Sequence, residues 1–228
     1  MKNNLGKILR SDYSFQDAGN SGYQLQLLKI AAVWKGSNKD DYGILRLFRL
    51  TLVSILLLFP GVFIDQLVKS KSSIGRKLIV EFYVLLKTVF PMMVLIMHWY
   101  SYSFLYYLSI YLLIETYIYL FSKIFLSDQH GKSSNMRTLL LLTFNFFESG
   151  LTFAVIYIAG NYLNIDLRST VDAIYFSFVT SATIGYGDVY PINHTGKIIT
   201  VVQILCSVSF IVLFFNFFSG KANQAEVE

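Results

Sequence analysis

Between Lys197 and Lys221 the chain runs without a single charged side chain. A helix needs roughly 20 apolar residues to cross the hydrocarbon core of a bilayer, where every backbone polar group must be satisfied internally. Ile198 to Ser219 therefore predicts a membrane-spanning helix, and Thr138 to Tyr162, broken only by Glu148, predicts another. Leu78 to Ser122 is too long for one crossing and holds Glu81, Lys87 and Glu115 as its only formal charges, so it reads as two spans turning near Ser101-Tyr102-Ser103. Trp99, Tyr100 and Tyr102 beside that turn suit an interfacial aromatic belt, although general aromatic richness explains them equally well. Only 14% of the residues are charged against about 25% in soluble domains, and 54% are hydrophobic, so the chain is an integral membrane protein and neither soluble nor disordered. Three prolines and fourteen glycines exclude a collagen-like chain, and the lone Cys206 excludes an internal disulfide or a cysteine-based zinc site.

Lysines and arginines collect in short cytoplasmic loops and set orientation. Lys69, Lys71, Arg76 and Lys77 precede the first of these spans, and Lys123, Lys132 and Arg137 flank the loop after the second. Both loops are expected inside. Asp166, Asp172 and Asp188 against one Arg168 put the segment between the last two spans outside. The net charge of +5 then reflects orientation, with no nucleic-acid partner expected. Leu50 to Ile64 is apolar but short, interrupted by Pro60-Gly61 and basic on both flanks. A re-entrant or interfacial helix there keeps the N-terminus inside, whereas a crossing would expel Lys29, Lys35, Lys39, Arg46 and Arg49. Residues 1–49 lack the apolar core of a signal peptide, and Tyr23 to Trp34 reads as a short amphipathic surface helix.

The segment between the last two spans carries the chemistry. Ser169 and Asp172 have capping-box spacing, the hydroxyl accepting from backbone N–H groups and the acid reaching back, so a helix should start there. It runs about three turns before Gly185 and Gly187, too short to cross a bilayer, which implies a re-entrant loop. Non-helical backbone at that depth survives only when buried in protein or lining a watery path. Glycine takes positive φ without steric cost, so alternating glycines can turn successive carbonyls to one side of an extended strand. Several chains around an axis would then form oxygen rings that replace the hydration shell of a cation.

Thr180-Ser181-Ala182-Thr183-Ile184-Gly185-Tyr186-Gly187-Asp188, followed by Tyr190-Pro191 and Gly196-Lys197 at the opening of the last span, closely resembles the selectivity-filter signature of potassium channels, with Ile184 where valine is commonest. The resemblance runs from Arg137 to about Gly220. It implies an all-α integral membrane protein, with a potassium-channel pore domain of outer helix, re-entrant pore helix and filter, and inner helix. Two or three N-terminal membrane helices precede it. Segments follow as 1–49 cytoplasmic, 50–77 re-entrant, interfacial or spanning with a basic loop, 78–136 two spans and a loop, 137–220 the pore domain, and 221–228 a short cytoplasmic tail. By the same resemblance the carbonyls of Thr183, Ile184, Gly185 and Tyr186, with the Thr183 hydroxyl, coordinate K+. Tyr175, Phe176 and the Tyr186 ring brace the filter, Thr180 supports its base, and Gly187 and Asp188 form the outer mouth. The pore helix aims the negative end of its dipole at a central cavity. K+ is the permeant ion and no organic cofactor or small-molecule substrate is expected. One motif copy supplies one side of each ring, so the chain should close as a homotetramer in the plasma membrane (the cell inner membrane).

Departures from the family pattern carry their own expectations. Val179 stands where several members have a carboxylate facing the outer aspartate, which leaves Asp188 without that partner. The inner helix lacks a central glycine, leaving Ser207 and Ser209 as its soft points. Phe214, Phe215, Phe217 and Phe218 are candidate gate residues, Phe214 and Phe218 foremost, against a plainer role in lipid or helix contact. No span before the pore holds the basic series a voltage sensor needs, and Arg46 and Arg49 read as anchors on the inside. Buried Glu148, Glu115, His98 and Asn216 are costly in a membrane and so candidates for function, with Glu115 and His98 expected to pair and Glu148 to touch a neighbouring span. Lys221 to Glu228 is too short for a ligand-binding regulatory domain. The function expected is passive K+ conduction without enzymatic activity. A weakly selective cation channel, a K+ uptake transporter subunit and a non-conducting membrane sensor or scaffold are the alternatives.

Overall fold

A computed structural model describes residues 27, 30, 31, 33, 34, 43–61, 73–126, 136–164 and 169–225, excepting the side chains of 73–77, 123, 124, 126, 136–138 and 214–225. Its described helices are α1 (Gly43–Leu56), α2 (Ser73–Ile96), α3 (Ser103–Leu126), α4 (Met136–Ala159), α5 (Thr170–Ser181) and α6 (His194–Ala225), with a 3-10 turn at Trp99–Ser101. Four stretches are long and apolar enough to cross a membrane: Leu78–Ile96, Ser103–Ser122, Leu139–Ala159 and His194–Leu213. The chain is an all-α, multi-pass membrane protein. The break between α2 and α3 falls at 97–102, where His98 adopts φ 54° and the Tyr102 N–H bonds the Trp99 carbonyl. α1 has 14 residues, a rise of about 21 Å against a hydrocarbon core of about 30 Å.

The described residues fall into two compact units, 1–82 with 115–132, and 83–114 with 133–228. In the first, Phe48 meets Phe125 edge to face with centroids 4.9 Å apart. Arg46 bonds the carbonyls of Val33 and Trp34 and so ties α1 to the stretch before it. The Gly61 N–H donates to buried Glu115 Oε1 at 3.0 Å. In the second unit, His98 Nδ1 lies 3.0 Å from the Tyr100 hydroxyl within its own turn. The surface helix expected over Tyr23 to Trp34 lies largely outside the described residues; within it Val33 is buried and Trp34 exposed.

The second unit is built on α4. Val94 and Leu95 of α2 pack with Ala154, Val155 and Ile158 of α4 and Ala173 of α5. Small side chains let helices approach where lipid offers no hydrophobic drive for association, and Gly150 is the closest case. A Cβ there would lie 2.8 Å from the Phe178 ring of α5. α6 presents Gly196, Gln203, Ser207 and Phe210 inward on one stripe, while Ile198, Val201, Leu205 and Val208 are exposed on the protomer. Lys87 of α2 and Glu148 of α4 are both buried and 3.5 Å apart, with Lys87 Nζ also 5.6 Å from the Tyr83 ring centroid. Glu148 thus touches a neighbouring span through an ion pair. A second polar tie between the same helices comes from Thr88, whose hydroxyl donates to the Val84 carbonyl of its own helix or to the Phe144 carbonyl of α4.

Candidate functional site

Ser169 caps α5, its hydroxyl oxygen accepting from the Asp172 N–H at 3.3 Å. The acid does not reach back to the cap backbone as expected; it accepts the Ser169 hydroxyl proton directly. The helix then runs the expected distance, twelve residues.

How α5 ends is the informative part. The Ala182 N–H bonds the Phe178 carbonyl, the Thr183 N–H bonds Thr180 at 3.0 Å, and the Ile184 N–H bonds Val179 at 3.0 Å. This 5→2 and 6→1 pattern is a Schellman motif, which needs a left-handed residue just past the cap and usually finds glycine there. Here that residue is Thr183, at φ 57°. Gly185 follows at φ 61° and Gly187 at φ 82°, while Ile184 and Tyr186 between them are not positive. The expected alternation at the glycines is present, and it begins one step earlier, at a β-branched residue that sequence reasoning did not suspect. An L-residue there costs about 1–2 kcal/mol, and the two hydrogen bonds hold it in place.

Alternating left-handed and ordinary backbone turns successive peptide planes so that their carbonyls face one way. Among the described residues no hydrogen bond reaches the carbonyls of Thr183, Ile184, Gly185 or Tyr186. Residues 182–188 are all exposed on the protomer, whereas Phe176, Thr180 and Ser181 behind them are buried. Phe176 meets Tyr157 of α4 edge to face at 4.9 Å. The negative end of the α5 dipole, about half a charge, lies at the base of this strand.

At the C-terminal end of the strand, Tyr175 donates its hydroxyl to Asp188 Oδ2 at 2.9 Å, a partner that Val179 does not supply, and its ring lies parallel to Tyr186 with centroids 6.4 Å apart. That hydrogen bond holds the Asp188 carboxyl below its ordinary value and pushes the Tyr175 phenol up. Asn164 was missed. Its Nδ2 donates to the Asp188 carbonyl at 3.2 Å and its Oδ1 accepts from the Tyr190 N–H at 2.7 Å, beside a Leu163–Pro191 bridge, so one amide clamps the backbone after the strand. A lone asparagine in a loop offers no spacing signal; only the fold brings it opposite residue 188. Ser207 and Ser209 bond back to the carbonyls of Gln203 and Cys206, an arrangement that slightly loosens a helix. The side chains of Phe214, Phe215, Asn216, Phe217 and Phe218 lie outside the described residues.

Residues 139–223 match a family model described as "Ion channel". Two-pore potassium channel 4 of Arabidopsis thaliana is 35% identical over 82 residues, 35% of this chain and 29% of that protein. The voltage-gated potassium channel of Aeropyrum pernix is 38% identical over 50 residues, 22% of this chain and 17% of that protein, and potassium channel K2 of Plasmodium falciparum is 36% identical over 53, covering 23% and 4%. The chain thus spans less than a third of the length of these relatives. No solved structure matches it. With its short helix, its alternating left-handed backbone and its flanking spans, the segment from 139 to 223 matches an ion-channel family model and is similar to parts of these potassium channels.

Proposed function

We propose that this protein is a potassium-selective channel, conducting K+ passively through a filter built from the carbonyls of Thr183, Ile184, Gly185 and Tyr186 and the Thr183 hydroxyl. The observation that carries this reading is the alternation of positive φ at Thr183, Gly185 and Gly187, which turns consecutive carbonyls to one side of an exposed strand. A K+ ion loses its hydration shell only where such oxygens replace it. One chain supplies one side of each ring, so four copies close the pore around a symmetry axis. Tyr175, Phe176 and Thr180 support the strand, and Gly187 and Asp188 form an outer mouth whose carboxylate concentrates cations. Conduction down a gradient needs no chemistry from the protein, and the reading includes no enzymatic activity, organic cofactor or voltage sensor. The plasma membrane is the proposed site, with the N-terminus and the basic loops inside.

The test is the reversal potential of the purified protein in planar bilayers with K+ on one side and Na+ on the other. A value near the K+ equilibrium potential, with current blocked by Ba2+, is expected. A value near zero would replace this reading with a weakly selective cation channel. No current under any stimulus would leave a membrane sensor or scaffold.

A further inference from the structure

Gln203 lies in the first third of the uncharged run of α6, between Lys197 and the middle of the helix, and is fully buried, 0% exposed. A primary amide has two protons to donate and one carbonyl to accept, and here both ends are engaged. Nε2 lies 2.7 Å from the Ser177 carbonyl, 2.9 Å from Ser177 Oγ and 2.8 Å from Ser181 Oγ, and Oε1 accepts the Tyr157 phenol at 2.7 Å. Because the Ser177 carbonyl can only accept, it fixes which end of the amide faces α5. The Ser177 hydroxyl gives its proton to the Gly150 carbonyl at 2.6 Å, so its oxygen is left to accept from Gln203. One side chain of α6 therefore joins α4 through Tyr157 and α5 through Ser177 and Ser181.

Location gives this knot its meaning. Ser181 is the last residue of α5, two positions before the left-handed Thr183. A leucine or methionine would fill the space in a membrane helix without needing any partner, whereas a buried amide is tolerated only when paired. We infer that Gln203 is a positioning residue for ion permeation: its amide sets the height and rotation of the last turn of α5 against α6. It thereby sets the height of the Thr183 and Ile184 carbonyls, and displacement of α6 is transmitted to the ion path through this contact. The inference rests on the conduction reading above and deepens it.

The full chain is reconstituted as wild type, Gln203→Met, Ser181→Ala, Tyr157→Phe and the Gln203→Met/Ser181→Ala double variant. Single-channel burst duration and the Rb+ to K+ permeability ratio are measured, with assembly followed by gel filtration. A purely structural brace would change recovery of assembled protein and leave permeation alone. A positioning role shortens bursts in Gln203→Met by about tenfold, equivalent to about 1.4 kcal/mol, the size of one buried hydrogen bond, and shifts the Rb+ ratio. Ser181→Ala moves both in the same direction by less, and the double variant is no worse than Gln203→Met because one amide makes both contacts. Assembled Gln203→Met with wild-type bursts and ratio, or additive effects in the double variant, would overturn the inference. If Gln203→Met does not assemble, Ser181→Ala and Tyr157→Phe decide, and unchanged permeation in both overturns it. A silent wild type instead removes the conduction reading and this inference with it.

Discussion

At the scale of single residues, the candidate filter is a question of φ. Gly185 sits at φ 61° with open space where a Cβ would go, so backbone strain and not crowding opposes a side chain there. Gly185→Ala should shift the reversal potential toward zero. Thr183→Gly relieves strain at φ 57° and should stay within about 1 kcal/mol of wild type in thermal unfolding, because glycine's greater entropy loss offsets the relief. Full K+ preference in the alanine variant would remove the filter assignment. Asp188 adds a pH dependence. Its carboxyl is held below the ordinary 3.8 by the Tyr175 hydroxyl, so that bond is intact above 3.8 and is lost as pH falls through the lowered value. Conductance should be flat between outer pH 8 and 5 and should fall only below the ordinary carboxylate range. Tyr175→Phe should move that fall upward, and an unmoved midpoint in single-channel recordings would contradict the assigned cause.

At the scale of helices, the ion pair between Lys87 and Glu148 ties α2 to α4 among side chains only 4% and 1% exposed. Removing one partner leaves the other charge buried, at about 3–5 kcal/mol, whereas removing both together is far milder. Lys87→Met or Glu148→Gln alone should therefore sharply reduce recovery of folded protein in fluorescence-detected size-exclusion chromatography. The double variant should recover more than either, and simple additivity would rule out a coupled pair. Both charges are visible in the sequence, but their pairing is not. The same limit applies to Glu115: a buried carboxylate needs a donor, and the Gly61 N–H that supplies one at 3.0 Å is brought there by the turn at Pro60-Gly61.

At the scale of the whole molecule, the protomer exposes two things that a finished channel would not. Residues 182–188 face outward, and so do Ile198, Val201, Leu205 and Val208 along α6. In the proposed ring, symmetric closure would cover the strand and part of that apolar face together, the remainder meeting lipid. Native mass spectrometry from detergent should give four times the 26.1 kDa protomer, and a monomer or dimer as the sole species would argue against the ring.

The amino-acid sequence alone determined where the spans lie, because hydrocarbon demands long uncharged runs, and where the candidate filter motif lies, because its glycines and hydroxyls follow in unbroken order. Short-range backbone chemistry of that kind is written locally. Tertiary structure alone decided what holds the strand in place: Thr183 completing a Schellman motif, Asn164 clamping residues 188–190, Gln203 joining α4, α5 and α6, and Lys87 meeting Glu148. Each is a polar group whose partner is distant in sequence, or whose strain is tolerated because of neighbours. A buried polar atom must find a partner, but its own residue type does not say which one the packing will bring.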